Sequence, residues 1–225
     1  MNRMVFDSSS IISISDKCFI NLLKKMGSME NVEFIIPQEV YNETVSVPMG
    51  IKRFELNAIR INDAIDQGYF TIAKPSSEIN KTVEKISALV NCIAFSGKKC
   101  LKLVHHGELE TLALCKEIGA SALVIDERTT RLLVEDPEGL KGFLQQRYQK
   151  EIEIVGEKIS ELKKFLGELE IIRSVELIAL AYDMGLFEGE LSTNKKSLEA
   201  ALYSMKFAGC AVSFEEIKQF LGERK

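Results

Sequence analysis

Residues 4–12 read MVFDSSSII, and this stretch decides the interpretation of the chain. Three apolar residues are followed at once by Asp7 and a run of serines, and helical spacing begins at Ile11. The pattern predicts a strand, a turn and a helix, with Asp7 at the end of the strand. A second unit follows, with an apolar strand at residues 32–36 and a helix that begins at Pro37 and runs through Val45.

Strand and helix patterns continue to alternate as far as residue 126. The predicted elements are helices at 11–26, 53–67, 77–95 and 108–118, and strands at 69–73 and 122–125. Such alternation predicts an α/β fold with a parallel sheet sandwiched by helices. Beyond Leu133 the strand signal nearly vanishes, and the DPEG turn at 136–139 marks a boundary. We therefore predict a first domain at 1–135 and an all-helical C-terminal extension at 136–225.

The predicted extension contains a heptad-like pattern and several capped helices. Six apolar residues follow 3-4-3-4-3 spacing: Ile152, Val155, Ile159, Leu162, Leu166 and Leu169. This seam is too short to be stable alone, so we expect it to pack against a partner helix, in a homodimer or within the extension. Further helices are predicted at 174–184 and 196–208, and Ser213 with Glu216 forms a capping box that opens a last helix.

Composition excludes several classes of protein. The chain is 46% hydrophobic and 28% charged, which is typical of a folded protein. Its net charge of −4 provides no general attraction for nucleic acid. No run of 18 apolar residues is present, and five scattered cysteines without a Cys-x-x-Cys pair indicate neither a disulfide framework nor a zinc cage. We therefore expect a cytoplasmic protein without a membrane span.

Four acidic residues lie at or near the predicted ends of elements: Asp7, Glu43, Glu108 and Asp126. The carboxyl ends of parallel strands form the ligand-binding edge of a sheet, so Asp7 and Asp126 should be displayed there. The helix after Glu108 runs ~17 Å outward and the following strand returns ~17 Å. Glu108 and Asp126 should therefore lie side by side.

Clustered carboxylates without matching cations repel one another, and hard oxygen ligands suit Mg²⁺ or Mn²⁺. Such an ion, held by carboxylates and phosphate oxygens, can activate a water for phosphodiester hydrolysis. Glu108 shares an apolar helical stripe with Leu112 and Cys115, whereas Glu110 lies about 200° away around the helix. We therefore expect Glu108 to face the site, with Glu110 at its rim.

Four segments together resemble a PIN-domain nuclease: residues 5–12, 35–43, 106–110 and 123–128. The resemblance covers residues 1–131 and includes Ser9, a small hydroxyl residue two positions after the first Asp. The Gly-Glu-x-Glu form at 107–110 and the tail resemble a PIN-like subgroup related to toxin–antitoxin ribonucleases. Residues 139–170 depart from this pattern and resemble an insertion.

The resemblance implies an endoribonuclease that depends on Mg²⁺ or Mn²⁺ and hydrolyses RNA phosphodiester bonds, possible partners being an antitoxin-type protein or a second copy. The implied catalytic residues are Asp7, Ser9, Glu43, Glu108 and Asp126. The implied metal ligands are Asp7, Glu43, Glu108, Asp126 and Glu110. Arg128 and Arg131 are the predicted RNA contacts.

Other interpretations stay open at this point. Asp7 and Asp126 are also good helix N-caps, and acids in a first turn, such as Glu108, suit the helix dipole. Glu39 and Glu127 are further candidate ligands. A haloacid-dehalogenase-type phosphatase also begins with an Asp after its first strand, but it needs a second Asp where this chain has Ser9. A PIN fold that binds RNA or protein without cleavage is the alternative function.

Overall fold

The computed structural model describes residues 2–222. The α-helices in this range are α1 (Ser8–Asp16), α2 (Ile20–Glu30), α3 (Gln38–Tyr41), α4 (Glu55–Asp66), α5 (Ser77–Val90), α6 (His106–Ile118), α7 (Arg128–Glu135), α8 (Pro137–Tyr148), α9 (Gly156–Leu166), α10 (Ser174–Asp183), α11 (Lys195–Ala208) and α12 (Phe214–Phe220). The strands are β1 (Asn2–Phe6), β2 (Val32–Ile36), β3 (Thr71–Ile72), β4 (Ala94–Ser96), β5 (Lys99–Leu101), β6 (Ala122–Val124), β7 (Glu153–Ile154) and β8 (Glu170–Ile172). A π-helical turn, Asn42–Ser46, continues α3, and a 3-10 turn, Pro48–Gly50, follows it.

A five-stranded parallel sheet forms the centre of the fold, in the order β3-β2-β1-β6-β8. Successive side chains of a strand point to opposite faces, and both faces are covered. Phe6 and Val124 join one core, together with residues of α2, α10 and α11. Val5 and Leu123 join a second core, with residues of α5, α6 and α9. The predicted parallel α/β sheet between helices is confirmed.

The region after residue 135 is mainly helical, but it also contains β7 and β8. The prediction of an all-helical extension was wrong in this respect, because both strands are too short to show an alternating pattern. β8 lies beside β6 as an edge strand of the central sheet. Residue 135 stays a predicted domain boundary, and the chain beyond it nevertheless completes the sheet.

The heptad-like seam is not one helix. Its helical part is α9, whose Ile159, Leu162 and Leu166 are buried against the second core. Ile152 is also buried there, but it precedes β7. The helices that contact α9 are α5 and α7, and both precede residue 136. The seam therefore packs within this chain and outside the predicted extension, so it gives the homodimer prediction no support.

Two other local predictions differ from the structure. The helix expected at residues 11–26 is divided into α1 and α2, because Cys18 adopts a left-handed backbone conformation with φ of 62°. The helix expected to reach Phe95 ends at Val90, and a β4–β5 hairpin follows. This hairpin brings Cys92 and Cys100 together as a disulfide, although the spacing of the cysteines predicted none. None of the helices within residues 2–222 is long and apolar enough to cross a membrane.

Arg173 connects three segments of the C-terminal region. Its guanidinium donates to Glu176 Oε1 and Glu216 Oε1, both at 2.7 Å, and to the Ala211 carbonyl at 3.1 Å. The residue is only 7% exposed. α10, α12 and the loop between α11 and α12 are therefore held together by one buried cation.

We predict that Arg173→Ala lowers the free energy of unfolding by ~2 kcal/mol, between the values typical of buried and of exposed ion pairs. Urea denaturation measures this change. Lys52→Ala is the matched control, because its pair with Glu55 is exposed and should contribute little. Equal losses in the two variants would contradict a special role for Arg173.

The contacts of Glu216 with Arg173 and Ser213 predict that the protein loses stability at low pH. Burial alone would raise the pKa of Glu216, but hydrogen bonds from Ser213 and Arg173 lower it from 4.5 to about 2. A lowered carboxyl pKa stabilises the fold above the unfolded value, and this stability is lost as pH falls. The free energy of unfolding should therefore decrease as pH falls from 4.5 to about 2. In Glu216→Gln this decrease should be smaller.

Candidate functional site

The carboxyl ends of β1 and β6 place Asp7 and Asp126 at one edge of the sheet. The Asp7 backbone N–H donates to the Val124 carbonyl at 2.9 Å, so the two strand ends are in register. The π-helical turn after α3 carries Glu43, and the first turn of α6 carries Glu108. The topology therefore brings acids from four separate segments to one end of the molecule.

Asp7 is the N-cap of α1 and is only 3% exposed. Its Oδ2 accepts hydrogen bonds from the Ser9 backbone N–H at 3.0 Å and from the Ser9 hydroxyl at 2.6 Å. Burial raises the pKa of Asp7, the Ser9 hydrogen bonds oppose this, and the charge of Glu43 raises it further. Asp7 is thus both a helix cap and a buried acid close to another acid.

Ser9 connects the two strand ends. Its hydroxyl donates to Asp7 and accepts from the Asp126 backbone N–H at 3.1 Å. One hydroxyl therefore fixes the orientation of the Asp7 carboxylate and the backbone after β6. The predicted role of Ser9 in orienting Asp7 matches this geometry.

Glu43 extends from the π-helical turn towards the first turn of α6. A side chain built on Gly107 would place its Cβ 2.7 Å from Glu43 Oε1. Only glycine therefore allows the Glu43 carboxylate to approach the α6 backbone this closely. Isolated π-helical turns inside helices are frequent at functional sites, which agrees with this placement.

Glu108 lies on the same side as Asp7, as its apolar stripe predicted. Its Oε2 accepts a hydrogen bond from the His105 backbone N–H at 2.5 Å, so it caps its own helix. Burial raises the pKa of Glu108 to about 7; the His105 bond opposes this, and the charges of Glu127 and Asp7 add to it. The nearby Thr130 hydroxyl lowers this pKa slightly but has no hydrogen-bond partner of its own in the described residues.

Glu110 lies on a different side of α6, near Glu39. Its Oε2 accepts from the Glu39 backbone N–H at 3.2 Å. Burial raises the pKa of Glu110, and the charges of Glu39 and Glu43 act in the same direction. Glu110 is therefore near Glu43 rather than near Asp7, which agrees with the expected position at the rim.

Asp126 is placed differently from the prediction. Its Oδ1 accepts from the Ser174 backbone N–H at 2.8 Å and its Oδ2 from the Ser174 hydroxyl at 2.6 Å. The carboxylate is therefore directed to the first turn of α10, and Glu127 is the acid whose charge acts on Glu108. Ser174 opens a predicted helix, but no local pattern indicates a contact with a residue 48 positions earlier.

Glu127 lies nearer to Glu108 than the sequence analysis predicted. Its side chain accepts from the Thr130 backbone N–H at 2.7 Å and caps α7. The sequence signal for Glu127 is its position directly after Asp126, in the same turn. This signal is weaker than that of Asp126, because the residue that closes the strand is the usual ligand-bearing position.

Basic residues do not neutralise the acidic cluster, which consists of Asp7, Glu43, Glu108 and Glu127. Within residues 2–222, none of the ion pairs joins a cation to Asp7, Glu43, Glu108 or Glu127. Arg128 lies over the ring of Phe143 at 4.6 Å, and Arg131 pairs with Glu135 at 3.1 Å. Arg128 directly follows Glu127 in the chain, and within residues 2–222 neither predicted RNA contact is paired to the four acids.

Carboxylate oxygens are the ligands that a hard divalent cation prefers. In this structure, however, the carboxylates of the described residues do not converge on one point. No group of three or more acidic, histidine or cysteine side chains in residues 2–222 is close enough to hold one ion. The reason is that Glu108 caps its own helix and Asp126 binds Ser174. Glu side chains rotate easily. Burial, and to a smaller extent repulsion between the acids, raises the pKa of Asp7 and Glu108, and a divalent cation would offset both effects. The unpartnered Thr130 hydroxyl provides a further oxygen nearby.

Comparison with known proteins gives one match. A family model described as a PIN domain matches residues 3–141, which is more than half of the chain. No curated protein and no solved structure matches the chain. The matched range contains all four predicted acidic residues, and it ends before Ser174.

We predict that the metal-free protein loses stability as pH rises from 4.5 to about 7. A carboxyl group with a raised pKa stabilises the fold below its unfolded value, and this contribution is lost as pH passes the folded value of about 7. Glu108→Gln should flatten this part of the profile. The measurement is urea denaturation in EDTA at several pH values.

Glu84→Gln is the control for this experiment, because it makes the same chemical change at an exposed position on α5. Its profile should follow that of the unmodified protein. If the dependence of stability on pH is unchanged in Glu108→Gln, Glu108 is not the residue that causes the loss of stability between pH 4.5 and about 7.

Proposed function

The chain belongs to the PIN-domain family, and from this premise we propose that it is a metal-dependent endoribonuclease that hydrolyses RNA phosphodiester bonds. PIN domains are generally nucleases, and the fold alone does not determine the activity of a member. The observation that carries the proposal is the group of acids around Asp7, in which Asp7 is buried and Glu108 is partly buried, and which lacks a compensating cation in the described residues.

Asp7, Glu43 and Glu108 are the residues proposed to hold Mg²⁺ or Mn²⁺, with Glu127 next to them. A bound divalent ion would supply activation of a water and stabilisation of charge on the phosphate oxygens. Asp126 and Glu110 stay predicted ligands. Because both oxygens of Asp126 accept hydrogen bonds from Ser174, Asp126 is better placed to fix α10.

The residues of this chain orient the acids before any ligand binds. The Ser9 hydroxyl holds the Asp7 carboxylate from one side, and the absence of a side chain at Gly107 leaves space for Glu43. Such fixed donors and acceptors contribute to catalysis because they need little reorganisation during the reaction. Arg128, which directly follows Glu127, and Arg131 are proposed to contact the RNA backbone.

The second candidate function is a PIN fold that binds RNA or protein without cleaving it. Two observations favour it: the acids do not converge on one point, and Asp126 is already engaged by Ser174. The relation to toxin–antitoxin ribonucleases, an antitoxin-type partner, a homodimer and a cytoplasmic location stay predictions. Activity measurements decide between the two functions.

We predict that Mn²⁺ or Mg²⁺ raises the melting temperature and supports cleavage of labelled RNA, and that EDTA prevents both effects. Asp7→Asn should abolish the thermal shift and the cleavage, because it removes a proposed ligand. Asp16→Asn is the matched control, since Asp16 is an exposed acid at the other end of α1. A thermal shift without cleavage in the unmodified protein would favour the non-catalytic alternative, and no response at millimolar metal would contradict metal binding.

We also predict that Gly107→Ala weakens metal binding while the protein stays folded. The new methyl group would lie only 2.7 Å from Glu43 Oε1, so the end of that side chain must move away. The midpoint of the Mn²⁺ titration, followed by melting temperature, should increase by about 10-fold or more, as for other changes next to metal ligands.

Gly142→Ala is the control for the general effect of alanine in a helix. Gly142 lies within α8, and a Cβ there meets no atom within 4 Å. This variant should be up to about 1 kcal/mol more stable and bind Mn²⁺ normally. Normal Mn²⁺ binding by Gly107→Ala would show that Glu43 is not a ligand.

A further inference from the structure

The Thr130 hydroxyl is one of two buried side-chain polar atoms in residues 2–222 that have no hydrogen-bond partner, the other being Arg131 Nε. Thr130 lies in the first turn of α7 and is 0% exposed. A buried polar group without a partner destabilises a fold, and native structures contain few of them. The presence of this one at the acidic cluster therefore needs a physical reason.

Other buried threonine hydroxyls of this chain are used by the fold. A helical threonine commonly donates its hydroxyl to the carbonyl one turn earlier. Thr44 donates to the Val40 carbonyl and Thr111 to the Gly107 carbonyl, both at 2.7 Å. Within the described residues Thr130 makes no such bond. Its hydroxyl is therefore not needed by its own helix.

Two hydrogen bonds fix Thr130 beside the acids. Its backbone N–H donates to Glu127 Oε2 at 2.7 Å, and the Asp126 backbone N–H donates to the Ser9 hydroxyl at 3.1 Å. The Thr130 hydroxyl is close enough to Glu108 to favour the charged carboxylate, which opposes the effect of burial on its pKa. An unused donor therefore lies next to the Glu108 side chain.

Glu108 has a different donor in this structure. Its Oε2 accepts from the His105 backbone N–H at 2.5 Å, which directs the carboxylate to the end of its own helix. To bind an ion together with Asp7, the carboxylate must leave this position. His105 is exposed, so water can replace Glu108 at its N–H. Glu108 is partly buried, however, and it needs a new donor to hold it in the second orientation.

We propose that Thr130 is a positioning residue, whose hydroxyl donates to the Glu108 carboxylate when Glu108 turns from the His105 backbone to a divalent ion. The inference rests on the metal-dependent function proposed above. A donor behind a ligand carboxylate orients it and so strengthens metal binding. Thr130 has this role for Glu108 as Ser9 has it for Asp7. The hydroxyl lacks a partner here because its acceptor is engaged elsewhere.

The first measurement is the melting temperature in EDTA. Thr130→Val removes the hydroxyl and keeps the branched shape of the side chain, so the melting temperature should be unchanged or higher, because no hydrogen bond is lost. Thr82→Val is the matched control, since Thr82 is also a buried helical threonine but its hydroxyl donates to Glu117. This control should melt about 2 to 4 °C lower.

The second measurement is Mn²⁺ binding at one temperature, read from the electron paramagnetic resonance signal of free Mn²⁺. The dissociation constant should increase by about 10-fold or more in Thr130→Val. It should be unchanged in Thr82→Val. Thr130→Ser keeps a hydroxyl and should bind Mn²⁺ nearly as the unmodified protein does. A merely structural role of Thr130 would not separate metal binding from stability in this way.

Each outcome decides a different question. Mn²⁺ binding that depends on the Thr130 hydroxyl, without cleavage of RNA, would support this role and contradict the proposed catalysis. Cleavage by the unmodified protein, with normal Mn²⁺ binding in Thr130→Val, would overturn the role of Thr130 while the ribonuclease function stands. An equal fall of the melting temperature in Thr130→Val and Thr82→Val would also overturn it, because the fold would then already use the hydroxyl. Absence of Mn²⁺ binding by the unmodified protein would overturn both proposals.

Discussion

The Asp7 carboxylate lies buried where β1 ends, and the Ser9 hydroxyl holds it there while accepting a hydrogen bond from the backbone after β6. A buried acid without a cation is costly unless hydrogen bonds or a bound ion compensate it. Ser9 provides part of this compensation, and the register of β1 and β6 follows from the same contacts. The fold and the site therefore depend on one carboxylate whose burial is only partly compensated by the protein.

The C-terminal region is connected to this centre by polar contacts as well as by packing. β8 extends the sheet, Ser174 binds both oxygens of Asp126, and Arg173 holds the loop between α11 and α12. Buried polar contacts of this kind define relative positions more strictly than apolar packing does. The region beyond the family match is thus held against Asp126 at the edge of the sheet.

The sequence predicted the parallel sheet, the positions of Asp7, Glu43 and Glu108, and the different placement of Glu110, because hydrophobic periodicity and strand ends determine these features locally. It did not predict β8, the contact of Asp126 with Ser174 or the role of α5 as the neighbour of α9. These depend on contacts between residues far apart in the chain. The lengths of the helix after Glu108 and of the following strand predicted the correct edge of the sheet for Asp126. Backbone lengths do not determine where a side chain points. The same limit applies to the Cys92–Cys100 disulfide, which a short hairpin creates.

The central claim is that the acids around Asp7 form a divalent metal site. A crystal structure of the protein grown with Mn²⁺, with the ion located by anomalous diffraction, tests it most directly. We expect one strong peak in contact with oxygens of Asp7, Glu43 and Glu108, with the Glu108 side chain released from the His105 backbone. An empty site at millimolar Mn²⁺, with Glu108 still bound to His105, would contradict it, as would a peak that is held by other residues.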